Sequence, residues 1–122
     1  CIVCHTVGFE YQTGYENATK TPHLKNVGCE SCHGPGSEHA AKPTDIALRL
    51  TMAPYKANGG GALPGYDKLK ELGEMKPIDR GRVPLPANEL QAMNSVSAVC
   101  MKCHDGENDP KFDLPKYMPQ IW

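Results

Sequence analysis

The sequence predicts a mainly α-helical domain with extensive loops, and three observations carry that prediction. Leu, Ile, Val and Phe number only 21 of 122 residues, a share below the roughly one-fifth expected of a chain that builds an ordinary aliphatic core. Gly and Pro number 12 and 11, well above average usage, so loops must be plentiful. All six cysteines fall into three C-x-x-C pairs of identical spacing, each followed by His. The formal net charge is only −1, so the chain lacks the high charge that, with so few aliphatic residues, would mark it as disordered. Something other than those side chains must fill part of the interior. At this length the chain is one compact domain at most.

The three motifs are Cys1-Ile2-Val3-Cys4-His5, Cys29-Glu30-Ser31-Cys32-His33 and Cys100-Met101-Lys102-Cys103-His104. C-x-x-C-H is the attachment signature of a c-type haem. Two thiols one helical turn apart can add to the two vinyl groups of one porphyrin, and the next residue can then bring its imidazole beneath the ring to the iron. The other nitrogen of such a histidine normally donates to a carbonyl or carboxylate. The expectation is three covalently bound haem c groups, tethered by Cys1, Cys4, Cys29, Cys32, Cys100 and Cys103, with His5, His33 and His104 as proximal ligands. Three disulfides would not require a histidine after every pair. A Cys4 zinc site would leave the third pair and three histidines unexplained, and thioredoxin-like chemistry needs a βαβ context that is absent. Acylation of Cys1 would compete with its thioether. Three porphyrins supply the missing core, so the fold class sharpens to a small multihaem domain whose interior is three stacked haems.

Along the chain, residues 1–43 form a two-haem half, 44–86 a loop-rich connection, and 87–122 the third haem helix and a tail. Short helices are expected at the attachment sites. Pro22 keeps Thr21 out of a helix and starts a turn at His23. Residues 44–50 form a helix that either runs on from Ser37 or restarts after Pro43, with Asp45 favourable in its first turn. Asn58-Gly59-Gly60-Gly61 and Leu63-Pro64-Gly65 are loop signals. Tyr66 to Leu72 is a short helix stopped by Gly73, and residues 77–86 are extended. One helix runs from Ala87 to His104, opened by Pro86, with Leu90, Met93, Val96 and Val99 as its apolar stripe. The tail from Asp109 is polar, has three prolines, and drapes over a haem or a neighbour. Tyr55 and Tyr66 could pack on porphyrin. No strand is expected.

Three irons with six ligands each need three distal groups, and only His23 and His39 remain. His39 lies six positions after His33, a reach of at most ~20 Å, hardly enough to round the porphyrin that His33 holds. His39 therefore serves a neighbouring haem, which draws two haems together. For the third distal position Met93 and Met101 are poor choices, lying at or just before an attachment site. Met52, Met75 and Met118 are candidates; an open iron is a second solution; a histidine from another chain or a missing upstream segment is a third. The abrupt start at Cys1 reads as a processed or truncated terminus and favours the last.

Residues 20–39, Lys-Thr-Pro-His-Leu-Lys-Asn-Val-Gly-Cys-Glu-Ser-Cys-His-Gly-Pro-Gly-Ser-Glu-His, resemble the cytochrome c-554-type multihaem domain. The first motif with Gly8-Phe9 and Tyr15 fits the same pattern, and the likeness extends to the third attachment site but not between. The resemblance implies a mostly helical fold, haems in close pairs, His23 and His39 as axial ligands, and electron exchange with redox partner proteins in the periplasm or outside the cell. Three attachment sites, against four in tetrahaem members, mark a trihaem member or a fragment.

The leading functional expectation is electron transfer along closely spaced, mostly bis-His haems. Such irons have no free position and a lower potential than Met/His irons. Six propionates and three ferric centres would take the net charge to roughly −4, suited to steering a basic partner. One alternative is a subunit of a polymeric extracellular filament with an axial His shared between subunits, motivated by the missing sixth His and by Trp122. Another is a small-molecule redox enzyme at an open haem, although Glu30, Glu38 and Asp105 form no acid–base constellation. Thirteen basic against 14 acidic residues give no footprint for nucleic acid, and no apolar run reaches a membrane span.

Overall fold

The computed structural model describes residues 1–54 and 61–121. It divides into two compact units, Cys1–Pro54 and Tyr55–Trp122. The expectations placed on Tyr55 and Trp122 lie outside the described residues. Eight α-helices and one 3₁₀ turn make up the regular structure of the described residues, with a single isolated β-bridge between Thr6 and Lys25.

In the first unit, α1 (Ile2–His5) starts from Cys1, and His5 N–H donates to the Cys1 carbonyl at 3.0 Å. Thr6 leaves the helix in extended backbone while its hydroxyl donates to the Ile2 carbonyl at 2.7 Å. Residues 5–7 then run antiparallel to 24–26. Val7 N–H donates to Leu24 O at 2.9 Å and Asn26 N–H to His5 O at 2.8 Å. The intervening loop folds back on itself through two glycines. Gly8 has φ +66°, and a Cβ on Gly14 would fall 1.5 Å from the Gly8 carbonyl oxygen, so only glycine fits there. The expected turn at Pro22 is a 3₁₀ turn over Pro22–Leu24.

The second motif forms α2 (Cys29–His33), closed by Gly34 at φ +76°. After α3 (Ser37–Ala41), a new helix α4 (Ile46–Thr51) restarts past Pro43, so the two do not run on. Asp45 is its N-cap rather than a first-turn charge: one carboxylate oxygen accepts from Ala47 and Leu48 N–H at 3.0 and 3.2 Å, satisfying two of the helix's orphan donors.

The second unit has an aliphatic core of its own. It is built from α5 (Tyr66–Glu74), α6 (Pro77–Arg80), α7 (Ala87–Cys100) and α8 (Leu114–Ile121). Leu69, Leu72, Ala92, Met93, Val96, Leu114 and Met118 are buried, and Leu63, Cys100 and Phe112 pack against the cluster. Several expectations are corrected here. Gly73 does not stop α5 but lies inside it, because α8 crosses there: a Cβ on Gly73 would meet the Pro115 carbonyl oxygen at 2.7 Å. Pro77–Arg80 is a helical turn, not extended chain. The tail does not drape; it forms α8 and inserts Leu114 and Met118 into the core. α7 ends at Cys100, and its buried stripe is Ala92, Met93 and Val96, whereas Leu90 is half exposed. Met118 is 2% exposed and packs in the aliphatic core.

Candidate metal centres

Each C-x-x-C-H motif is helical or lies at a helix end. The first is α1 with its capping Cys1, the second is α2, and the third straddles the end of α7, where His104 N–H still donates to Cys100 O at 3.0 Å. None of the six cysteines is in a disulfide. Among the described residues no three His, Cys, Asp or Glu side chains gather in a metal-chelating group, so the fold does not assemble a Cys4 zinc site.

The second and third histidines are oriented by specific acceptors. His33 Nδ1 lies 2.9 Å from the Met52 carbonyl oxygen, and His104 Nδ1 lies 2.8 Å from Asp109 Oδ2. A hydrogen on Nδ1 fixes the tautomer and leaves Nε2 as the nitrogen for a metal. Both partners are products of local folding. α3 and α4 bring the chain back over α2, placing Met52 beside His33, and Glu30 Oε1 accepts the Gly36 N–H at 2.6 Å to hold the bend between. Beyond His104, Asp105 Oδ1 accepts from Glu107 N–H at 3.0 Å and Asn108 N–H at 2.8 Å. These bonds curl the segment so that Asp109 returns to the imidazole. The Asn108 backbone and side-chain donors hold the Asp105 carboxyl below its ordinary range. Glu30 and Asp105 are thus occupied as backbone acceptors. Phe112 stacks on the His104 ring with centroids 4.3 Å apart, and Tyr117 stacks on Phe112 at 5.6 Å.

His5 is placed by its backbone, whose carbonyl accepts from Asn26, so this pairing holds the first motif near the 3₁₀ turn that carries His23. His39 lies on α3, and its Nδ1 is buried with no hydrogen-bond partner. An orphaned imidazole nitrogen costs about 1–3 kcal/mol of desolvation, which a metal held at Nδ1 itself would offset. Met75 is half-buried, and Met52 presents its backbone, not its thioether, to His33.

The first unit fits a large apolar cofactor in a further way. Thr6 is the only buried residue among residues 1–54, while Ile2, Val3, Val27, Ile46 and Leu50 are each at least 45% exposed. A unit of this size that buries no aliphatic side chain lacks the area to hold itself together. Apolar plates laid against those residues would supply it. The cysteine and histidine donor set and this uncovered surface both suit haem c.

Sequence reasoning misses Asp109, Phe112 and the Met52 carbonyl. A signal for Asp109 exists in the Asp-Gly-Glu-Asn turn directly after His104, but the polar, proline-bearing tail around it masks that turn.

Comparison with known proteins matches residues 1–34 to the family described as Cytochrome c554 and c-prime. A relative, Cytochrome c-554 of Nitrosomonas europaea, is 53% identical over 36 residues. That match takes in 30% of this chain and 15% of the relative. The resemblance to the cytochrome c-554 type is therefore borne out over a segment holding the first two motifs. The family match stops short of the third. No solved structure matches. No helix of the described residues is long and apolar enough to cross a membrane.

Proposed function

We propose that the chain is an electron-transfer c-type cytochrome carrying three haem c groups and working with redox partner proteins in the periplasm or beyond the cell surface. The observation that supports this reading is the pairing of three complete C-x-x-C-H motifs with imidazoles at His33 and His104 whose Nδ1 atoms meet acceptors, leaving Nε2 available. The family likeness supports electron transfer for the N-terminal segment, and the relative's name supports a c-type cytochrome.

When bound, haem iron supplies a one-electron couple between its ferric and ferrous forms. The chain's part is to hold and tune it. Cys1 and Cys4, Cys29 and Cys32, and Cys100 and Cys103 tether the groups. His5, His33 and His104 would hold the iron from their own motifs, with the Met52 carbonyl and the Asp109 carboxylate fixing two of the rings. His23 and His39 would supply further iron ligands. Two nitrogen ligands per iron keep geometry nearly constant between oxidation states and favour a low potential. The unpartnered Nδ1 of His39 fits ligation through that nitrogen, in contrast to the Nε2 expected at His33 and His104.

A pyridine haemochrome assay on purified protein, followed by electron paramagnetic resonance, tests this. Three haems per chain, at least two of them low-spin, are expected. One or no haem per chain would overturn the reading.

A further inference from the structure

Among the described residues His104 is the only histidine paired with a carboxylate, while His33 meets a neutral backbone carbonyl. From this asymmetry we infer that Asp109 is a potential-setting residue: it holds the iron bound by His104 at a lower reduction potential than a neutral acceptor would. The inference rests on the proposed haem at the third motif.

The physical chain is short. An Nδ1–H that donates to a carboxylate is polarised more strongly than one that donates to a carbonyl, since charge-assisted hydrogen bonds are roughly twice as strong. The imidazole gains anionic character and becomes a better donor at Nε2. With iron held at Nε2 of His104, the negative charge would sit across one imidazole ring from it. Both effects favour the ferric over the ferrous state. The Asp109 side chain is 38% exposed, so solvent screens part of the charge, but the hydrogen bond through the ring is not diluted in that way.

The geometry is prepared by the chain rather than by a chance contact. Asp109 N–H donates to the Asp105 carbonyl at 2.9 Å, and Phe112 N–H to the Asp109 carbonyl at 3.0 Å. Asp109 is therefore pinned from both sides of its own backbone. Phe112, stacked on the His104 ring, leans on the aliphatic core. The imidazole is thus gripped at one edge by a carboxylate and on one face by an aromatic ring anchored in the core. At His33 the Met52 carbonyl meets the ring edge, and no aromatic stack is seen there among the described residues. Asp109 acts through His104 and is a positioning residue; its signature is a shift in potential, not a loss of fold.

Spectroelectrochemical titration of the holoprotein and of Asp109→Asn and Asp109→Glu tests the inference, with intact mass first establishing haem at Cys100 and Cys103. Asp109→Asn keeps the shape and removes the charge. It is expected to raise one midpoint by tenfold or more in the reduction equilibrium, about 59 mV for one electron, and to change one low-spin resonance signal. The other midpoints should stay within roughly threefold, as expected for centres that do not share the hydrogen bond. Asp109→Glu, which keeps a carboxylate, should lie closer to the wild type than Asp109→Asn does. An unmoved set of midpoints, a shift of all of them together, or a glutamate variant displaced as far as the asparagine one would overturn the inference. Absence of haem from the third motif in the wild type would instead overturn the functional reading beneath it.

Discussion

Arg80 forks onto Asp113 with both ends of its guanidinium, one bond measuring 2.8 Å from Nη2 to Oδ2. The same side chain donates from Nε to the Leu72 carbonyl at 2.5 Å and from Nη2 to the Met75 carbonyl at 2.9 Å. One residue thereby closes the C-terminus of α5 and ties it to the start of α8. A guanidinium fork is fully used only where a carboxylate or several carbonyls face it, and here both kinds of acceptor are present.

Arg80→Met should destabilise the C-terminal unit by about 2–3 kcal/mol, because it leaves a partly buried Asp113 and the α5 carbonyls without their donor. Arg80→Lys should recover less than half of that, since an ammonium cannot fork. Chemical denaturation followed by circular dichroism reads both values. A wild-type midpoint for either variant would mean that the pair is ornamental.

Gly73 offers a test of sign. Helix propensity alone favours alanine over glycine by about 1 kcal/mol inside a helix. Yet a Cβ here would meet Pro115 O at 2.7 Å and Lys116 Cα at 3.1 Å. Gly73→Ala should therefore destabilise by about 1–3 kcal/mol through overpacking. Gly81 sits at φ −62° with nothing near its would-be Cβ, so Gly81→Ala should be neutral or stabilising by up to about 1 kcal/mol. The two melting temperatures should move in opposite directions or at least differ clearly.

The contrast between the units predicts the effect of withholding haem. Polypeptide made without haem attachment should lose order in residues 1–54, which bury only Thr6. Residues 61–121 keep Leu69, Met93, Leu114 and Met118 as a core. Limited proteolysis read by mass spectrometry should cut the first region quickly and leave the second largely intact. Equal cleavage across both would show that the second core does not stand without cofactor.

Removing a proposed distal ligand should change the spin of one iron at a time. His23→Ala and His39→Ala should each convert one low-spin centre to a high-spin one without altering the haem count. The check is electron paramagnetic resonance on the oxidised protein. An unchanged spectrum for either variant would remove that histidine from the ligand set.

The motifs that carry chemistry are legible in the sequence because their spacing is local: a thiol, a helical turn, a second thiol and an imidazole are all set within five residues. The turn at Pro22 is legible for the same reason, resting on a proline; the restart before Ile46 is legible only as one of two options, because the capping role of Asp45 that decides it reads from sequence as a first-turn charge. α8 is not. Pro115 in its first turn and Pro119 within it read as breakers, but Pro is tolerated at a helix start, and Pro119 lacks the N–H that would have claimed the Pro115 carbonyl. That carbonyl is the one facing Gly73, so the misreading of Gly73 as a stop and of the tail as a drape share one tertiary cause. The expectation that porphyrin must supply the interior comes from whole-chain composition. The structure divides that average unevenly, with the buried aliphatic side chains gathered in residues 61–121 and none in 1–54. Asp109 escapes notice because its role depends on a turn pinned by Asp105, which pairwise spacing does not display.

Intact-mass measurement of the purified mature protein, with metal analysis of the same sample, bears most directly on the claim that thioether-linked haem occupies all three cysteine pairs. The expected result is the polypeptide mass plus three haem groups and three irons per chain. Unmodified polypeptide, or zinc in place of iron, would contradict it.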